Sequence, residues 1–145
     1  MEREPARPEY RMSDDGGRTW SSLRLPLPAD TFVEESDFRA NRAVGIAAVA
    51  LHAHDKSTDR DRDLLYKLGI AGNSPRLLSR HNVGLGDVDG SSGVGADVRF
   101  DFETVAIFPD GRVAMSFYDT TTADNTTERI RPALAIELET TVRNQ

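Results

Sequence analysis

Two histidines, His52 and His54, stand two residues apart with Asp55 beside them. On a strand that spacing puts both imidazoles on one face, where two nitrogen donors and a carboxylate would suit a divalent metal. The sequence offers no evident third ligand, and a neutral, hydrogen-bonded histidine is the commoner use of such a position, so no metal is assigned. A second candidate is the run from Gly84 to Asp101, where Asp87, Asp89, Asp97 and Asp101 lie among glycines and serines. Oxygen ligands of this kind bind Ca²⁺. The EF-hand spacing fails, because its sixth-position glycine would fall on Ser92 and its twelfth-position glutamate on Val98. A long loop between structural units is the expected reading, with Ca²⁺ the one cofactor the segment leaves open. Gly84-x-Gly86 is followed by no helical pattern and makes no dinucleotide site.

The elements that must position these residues read as strands. Apolar runs are short, rich in Val, Ile, Phe and Ala, and bounded by Gly, Pro, Asp and Asn. Strands are expected at Glu9 to Ser13, Thr19 to Leu25, Val44 to His54, Leu64 to Ala71, Leu77 to Asn82, Phe102 to Phe108, Arg112 to Asp119 and Ala133 to Thr140. Asp14-Asp15-Gly16-Gly17 and Pro109-Asp110-Gly111 supply the turn chemistry of hairpins. Two polar loops, Lys56 to Asp63 and Thr120 to Arg131, are expected after strands ending in Asp55 and Asp119.

Composition bounds the class. A chain of 145 residues, 38% hydrophobic and 29% charged, suits one globular domain. With 18 Lys and Arg against 24 Asp and Glu, a net charge of −6 argues against a surface built to neutralise nucleic-acid phosphates. The absence of Cys excludes disulfides, thiolate metal sites and a cysteine nucleophile. The longest apolar run, Val44 to Leu51, is too short to span a bilayer, and Met1 to Tyr10 is polar, without the apolar core of a signal peptide.

An internal repeat organises the chain. Val49-Ala50-Leu51-His52-Ala53-His54-Asp55 aligns with Val113-Ala114-Met115-Ser116-Phe117-Tyr118-Asp119, each pair 64 positions apart. A polar loop and a further apolar strand follow each copy. The expected fold is therefore all-β: about two and a half copies of a four-stranded antiparallel meander, with 1–28 the end of one unit, 29–86 a second and 87–145 a third. Radial repetition of such meanders gives a β-propeller, which needs roughly 4 to 8 blades to close, so this chain reads as a partial one. Met1 falls at the edge of a unit, which suggests truncation or an internal start.

Ser13-Asp14-Asp15-Gly16-Gly17-Arg18-Thr19-Trp20 carries Ser13, Asp15, Gly17, Thr19 and Trp20 at the positions of the pattern Ser-x-Asp-x-Gly-x-Thr-Trp. The physical logic is local. An Asp side chain accepts backbone N–H groups inside a tight turn, Gly tolerates positive φ, and Trp can anchor the turn on a neighbouring strand as a buried residue. The segment matches the Asp-box, and with Phe108-Pro109-Asp110-Gly111-Arg112-Val113 and Ser116-Phe117-Tyr118-Asp119 the chain resembles the BNR-repeat β-propellers of the sialidase kind. Degenerate copies of the box are expected at Ala71 to Arg76, with Leu78 in place of Trp, and near Glu137 to Asn144.

The resemblance implies that the Asp-box is structural and lies at the rim away from an active site. It implies a sialidase-like glycoside hydrolase, or alternatively a non-catalytic propeller module binding a glycan or a protein. The partners implied are a glycan or glycoconjugate and missing blades from the same or another chain, and an extracytoplasmic setting is favoured. Sialidases of this fold are expected to use three arginines on the substrate carboxylate, an Asp acid/base and a Tyr nucleophile activated by Glu, chemistry that bidentate arginines and a neutral attacker suit. Arg99, Glu103, Arg112, Tyr118 and Arg131 have the right types. The Phe-Arg-Ile-Pro segment that carries the first arginine is absent, and Asn41-Arg42-Ala43-Val44 does not replace it. No catalytic role is therefore assigned.

Overall fold

The computed structural model describes residues 7–58, 60–83, 99–123 and 127–137. Among these the chain is all-β, without a helix, and its strands are β1 (Glu9–Met12), β2 (Ser21–Arg24), β3 (Thr31–Asn41), β4 (Ile46–Asp55), β5 (Arg60–Gly69), β6 (Arg76–Val83), β7 (Arg99–Ile107), β8 (Val113–Ala123) and β9 (Thr127–Ile136). They form three consecutive antiparallel sheets: a hairpin β1-β2, a four-stranded meander β3-β4-β5-β6 and a three-stranded meander β7-β8-β9.

The middle sheet is covered on both faces, which is why β4 is a continuous apolar run rather than an alternating one. Ala47, Val49 and Leu51 of β4, with Leu64, Tyr66 and Leu68 of β5, pack against Met12 and Leu25 of the hairpin side. Ile46, Ala48, Ala50 and Leu65 turn the other way and pack against Val105, Val113 and Met115 of the third sheet. The small Ala side chains let backbones approach, and the Leu and Tyr side chains fill the gaps. Each fully buried Leu contributes about 1.5–3 kcal/mol by removal from water.

The strand register makes the repeat visible. A β-bulge interrupts β3–β4 between Val33 and Glu35, and another interrupts β7–β8 between Asp101 and Thr104. The first paired residue beyond each bulge faces His52 in one sheet and Ser116 in the other, 64 positions apart. On the other side of the same strands, Asp55 opposes Arg60 and Asp119 opposes Arg131. Bulges re-aim side chains locally, so two sheets with the same bulge and the same Asp–Arg register are built to one plan.

Three expectations need correction. β3 was not expected at all: it is an edge strand with most of its residues exposed, and the bulge at Glu34 breaks the alternation that would have marked it. The polar loops after Asp55 and Asp119 are much shorter than expected, because hydrogen-bonded ladder continues into polar sequence. β5 starts at Arg60, β8 runs to Ala123 and β9 begins at Thr127. The last strand accordingly lies at Thr127–Ile136 rather than Ala133 to Thr140. The acidic run from Gly84 to Val98 lies outside the described residues, whereas Asp101 is in β7.

Candidate functional site

Successive antiparallel strands alternate direction, so the connections sort to two rims. One rim holds the turns at 13–20, 42–45, 70–75 and 108–112. Cross-contacts tie them together: Arg42 Nη2 donates to Ser13 O at 2.8 Å, Ser21 Oγ donates to Asn73 O at 2.7 Å, and Gly111 lies against Val44 and Ile46. Gly45 sits there at φ 75°, where a Cβ would come within 3.0 Å of Ala71 Cβ, so no larger residue fits without displacement.

The residues of the Ser-x-Asp-x-Gly-x-Thr-Trp pattern come together in the β1–β2 turn. Asp15 Oδ1 accepts the backbone N–H groups of Arg18 and Thr19, each at 2.9 Å, and the Ser13 hydroxyl at 2.9 Å. Asp15 Oδ2 accepts Thr19 Oγ1 at 2.5 Å, and Ser13 Oγ accepts Gly17 N–H at 2.8 Å. The Thr19 hydroxyl, then its backbone N–H, pull the Asp15 carboxyl down to about 2. Gly16 and Gly17 adopt φ of 75° and 88°, which lets the chain close around that carboxylate. Trp20 departs from expectation. Its indole is 62% exposed rather than buried on a neighbouring strand, and it folds over its own turn with Nε1 donating to Gly17 O at 3.1 Å.

The other rim carries the ends of β4, β5, β8 and β9. There His52, buried, places Nδ1 2.8 Å from Asp63 Oδ1 and Nε2 3.4 Å from Glu34 Oε2. His54 pairs with Phe32 in the register, and the two rings lie tilted against each other with centroids 5.4 Å apart. Asp55 Oδ1 holds the following turn by accepting Ser57 N–H at 2.9 Å, the Ser57 hydroxyl at 2.6 Å and Thr58 N–H at 3.3 Å. His52 and His54 are thus engaged with carboxylates and an aromatic ring, and among the described residues no group of three His, Cys, Asp or Glu could hold a metal ion.

Of the five residues whose types suit the expected sialidase chemistry, Arg99 starts β7 at this rim, and Glu103, Tyr118 and Arg131 lie about midway along their strands. Arg99 opposes Thr120, Tyr118 opposes Asp101 and Pro132, Arg131 opposes Asp119, and Glu103 lies in the bulge. Arg112 does not join them. It belongs to the opposite rim, where its Nε donates to Asp110 Oδ2 at 2.7 Å and its guanidinium lies 5.1 Å over the Phe108 ring.

A contact that sequence reasoning missed clamps the second sheet to the third. Glu137, just past β9, takes Lys67 Nζ at 2.6 Å on one oxygen and His81 Nε2 at 3.0 Å on the other. Burial works to raise the Glu137 pKa, but the Lys67 ammonium and His81 outweigh it and the net direction is down. No local pattern announces it, since its partners lie on other strands.

In comparisons with known protein families, curated proteins and solved structures, nothing matches this chain.

Proposed function

We propose that the chain is a run of blades from an Asp-box β-propeller of the sialidase kind, and that the rim opposite the Asp-box turn faces a glycan. The observation that carries this reading is the pairing of a Ser13–Trp20 turn organised around one carboxylate with consecutive sheets stacked face to face in a repeated register. In that arrangement Arg99 stands at the glycan-facing rim, with Glu103, Tyr118 and Arg131 further along the strands of the same sheet. Arginines there suit a sugar carboxylate, and a Tyr with a nearby Glu suits glycosyl transfer to a neutral nucleophile. The reaction class is hydrolysis of a sialoside, with the site completed by further blades from the same or another chain.

A second reading is a non-catalytic propeller module that binds a glycan or a protein partner. It is favoured by Arg112, whose guanidinium is held at the far rim by Asp110 and Phe108, leaving fewer arginines for a substrate carboxylate. The test is to present the 145-residue chain with sialyllactose in calorimetry and with a fluorogenic sialoside in a turnover assay. Saturable binding without turnover, weakened by Arg131→Ala, is the expected result. Turnover lost in Tyr118→Phe would establish the enzyme from this chain alone. Neither binding nor turnover would overturn both glycan readings.

A further inference from the structure

The hairpin β1-β2 is the shortest of the three sheets, and one of its edges borders a cleft. The cleft, of about 230 Å³, is lined by four consecutive residues, Pro8 to Arg11, together with Ser36 and Phe38 of β3 and Val49 and Leu51 of β4. Successive side chains of a strand point to opposite faces, so a strand that lines a cleft with consecutive residues presents its edge to it. The hydrogen-bond pattern says which backbone groups lie on that edge. Leu25 N–H donates to Pro8 O at 2.9 Å, so the alternation of an antiparallel ladder points the groups of Tyr10 and Met12 at β2 and those of Glu9 and Arg11 away from it. Among the described residues β1 pairs with β2 alone. The floor of the cleft is mixed: Phe38 and Val49 form one cross-strand pair and Ser36 and Leu51 the next, Asp37 lies between them on β3, and Phe38 is 61% exposed. Tyr10 braces its side, edge-on to Phe38 at 6.3 Å.

We propose that the free edge of β1 accepts an added antiparallel strand, supplied by an extended polypeptide segment with the chemistry of β4. The occupant is identified by comparison within the molecule. The β1-β2 hairpin turns at the same rim as β5-β6, its turn is hydrogen-bonded to the β5–β6 turn through Ser21 and Asn73, and the inner edge of β5 is covered by β4. A β4-like strand beside β1 would give Glu9 and Arg11 the ladder partners that β5 already has, and would lay small and branched apolar side chains on Phe38. Main-chain hydrogen bonds supply affinity in such strand addition, and alternate side chains supply specificity. The proposal rests on the reading of the hairpin as the end of a repeated unit, and the peptide titration reads strand addition whether or not the opposite rim binds a glycan.

The probe is a synthetic peptide with the β4 sequence, Ile46 to Asp55, titrated into the isotope-labelled 145-residue chain. Saturable binding with slowed exchange of the Glu9 and Arg11 amides is expected. Arg11→Pro deletes one outward N–H and leaves the β2-facing groups untouched, since an edge strand tolerates Pro where its N–H faces solvent. It should weaken the peptide about tenfold, the worth of one hydrogen bond, while Arg11→Ala binds as the parent does. Phe38→Ala, at an exposed side chain, should weaken the peptide without altering the fold, so the proposal survives an unfolded Arg11→Pro hairpin. Absence of saturable binding, or equal binding by parent, Arg11→Pro and Phe38→Ala, would overturn it.

Discussion

The imidazole of His52 and the carboxylate of Asp63 meet at 2.8 Å across β4 and β5, on the face of the middle sheet that turns toward the third sheet. Both side chains are almost wholly buried, so the pair is part of the contact between sheets as well as of the polar rim. Ser116 occupies the equivalent register position one repeat later. His52→Ser, which imports the residue of the other copy, removes this partner from Asp63 and should cost about 1–3 kcal/mol in chemical denaturation. The double variant with Asp63→Asn should recover part of that loss, because neighbouring substitutions couple. Additive losses would mean that the two groups do not depend on each other.

Asp15 gives the molecule an acid-sensitive turn. Its folded pKa of about 2 lies below the ordinary value of 3.8, so its stabilising effect is complete above about pH 4 and is lost as pH falls through 2. Thermal melts from pH 5 to pH 2 should therefore fall more steeply for the parent than for Asp15→Asn, which has no carboxylate to titrate. Parallel curves would remove the turn carboxylate from the account.

Trp20→Ala should be mild. With the indole mostly exposed and bonded only within its own turn, a loss under about 1 kcal/mol is expected, in the range of surface substitutions rather than the 3–5 kcal/mol of a buried Trp. Equilibrium denaturation of the variant gives the figure directly.

Tyr66 is the alkaline counterpart. Its hydroxyl donates to Pro26 O, linking the middle sheet to the segment after β2, and burial is the main reason that its pKa is pushed up to about 12, against a smaller opposing pull from Arg80. A raised acid favours the protonated folded state, so this contribution is whole below pH 10 and fades between about pH 10 and 12. Tyr66→Phe should lose about 0.5–1.5 kcal/mol at neutral pH and should flatten the stability profile across that alkaline window.

Which parts of this were legible in the sequence follows from how each part is stabilised. β4 was legible because both of its faces are buried and its run is continuous. The β1–β2 turn was legible because its hydrogen bonds close within seven residues, so Ser13, Asp15, Gly17 and Thr19 carry their own instructions. β3 was not, because an exposed edge strand holding Glu34, Glu35, Asp37 and Arg39 has the composition of a loop. The polar ends of β5, β8 and β9 were missed because their composition reads as loop while ladder pairing continues through them. Trp20 was misplaced because a motif fixes the turn and not what the next layer covers. The separation of Arg131 from Arg112 was invisible until the register set Arg131 opposite Asp119 and the turn claimed Arg112.

The proposal that the rim opposite the Ser13–Trp20 turn faces a glycan is tested most directly by amide chemical-shift mapping with sialyllactose on the labelled 145-residue chain. The account predicts that shifts concentrate at His54 to Thr58 and at Thr120 to Ala123, with the Ser13 to Trp20 turn unmoved. Shifts centred on that turn, or no saturable shifts at millimolar sugar, would contradict it.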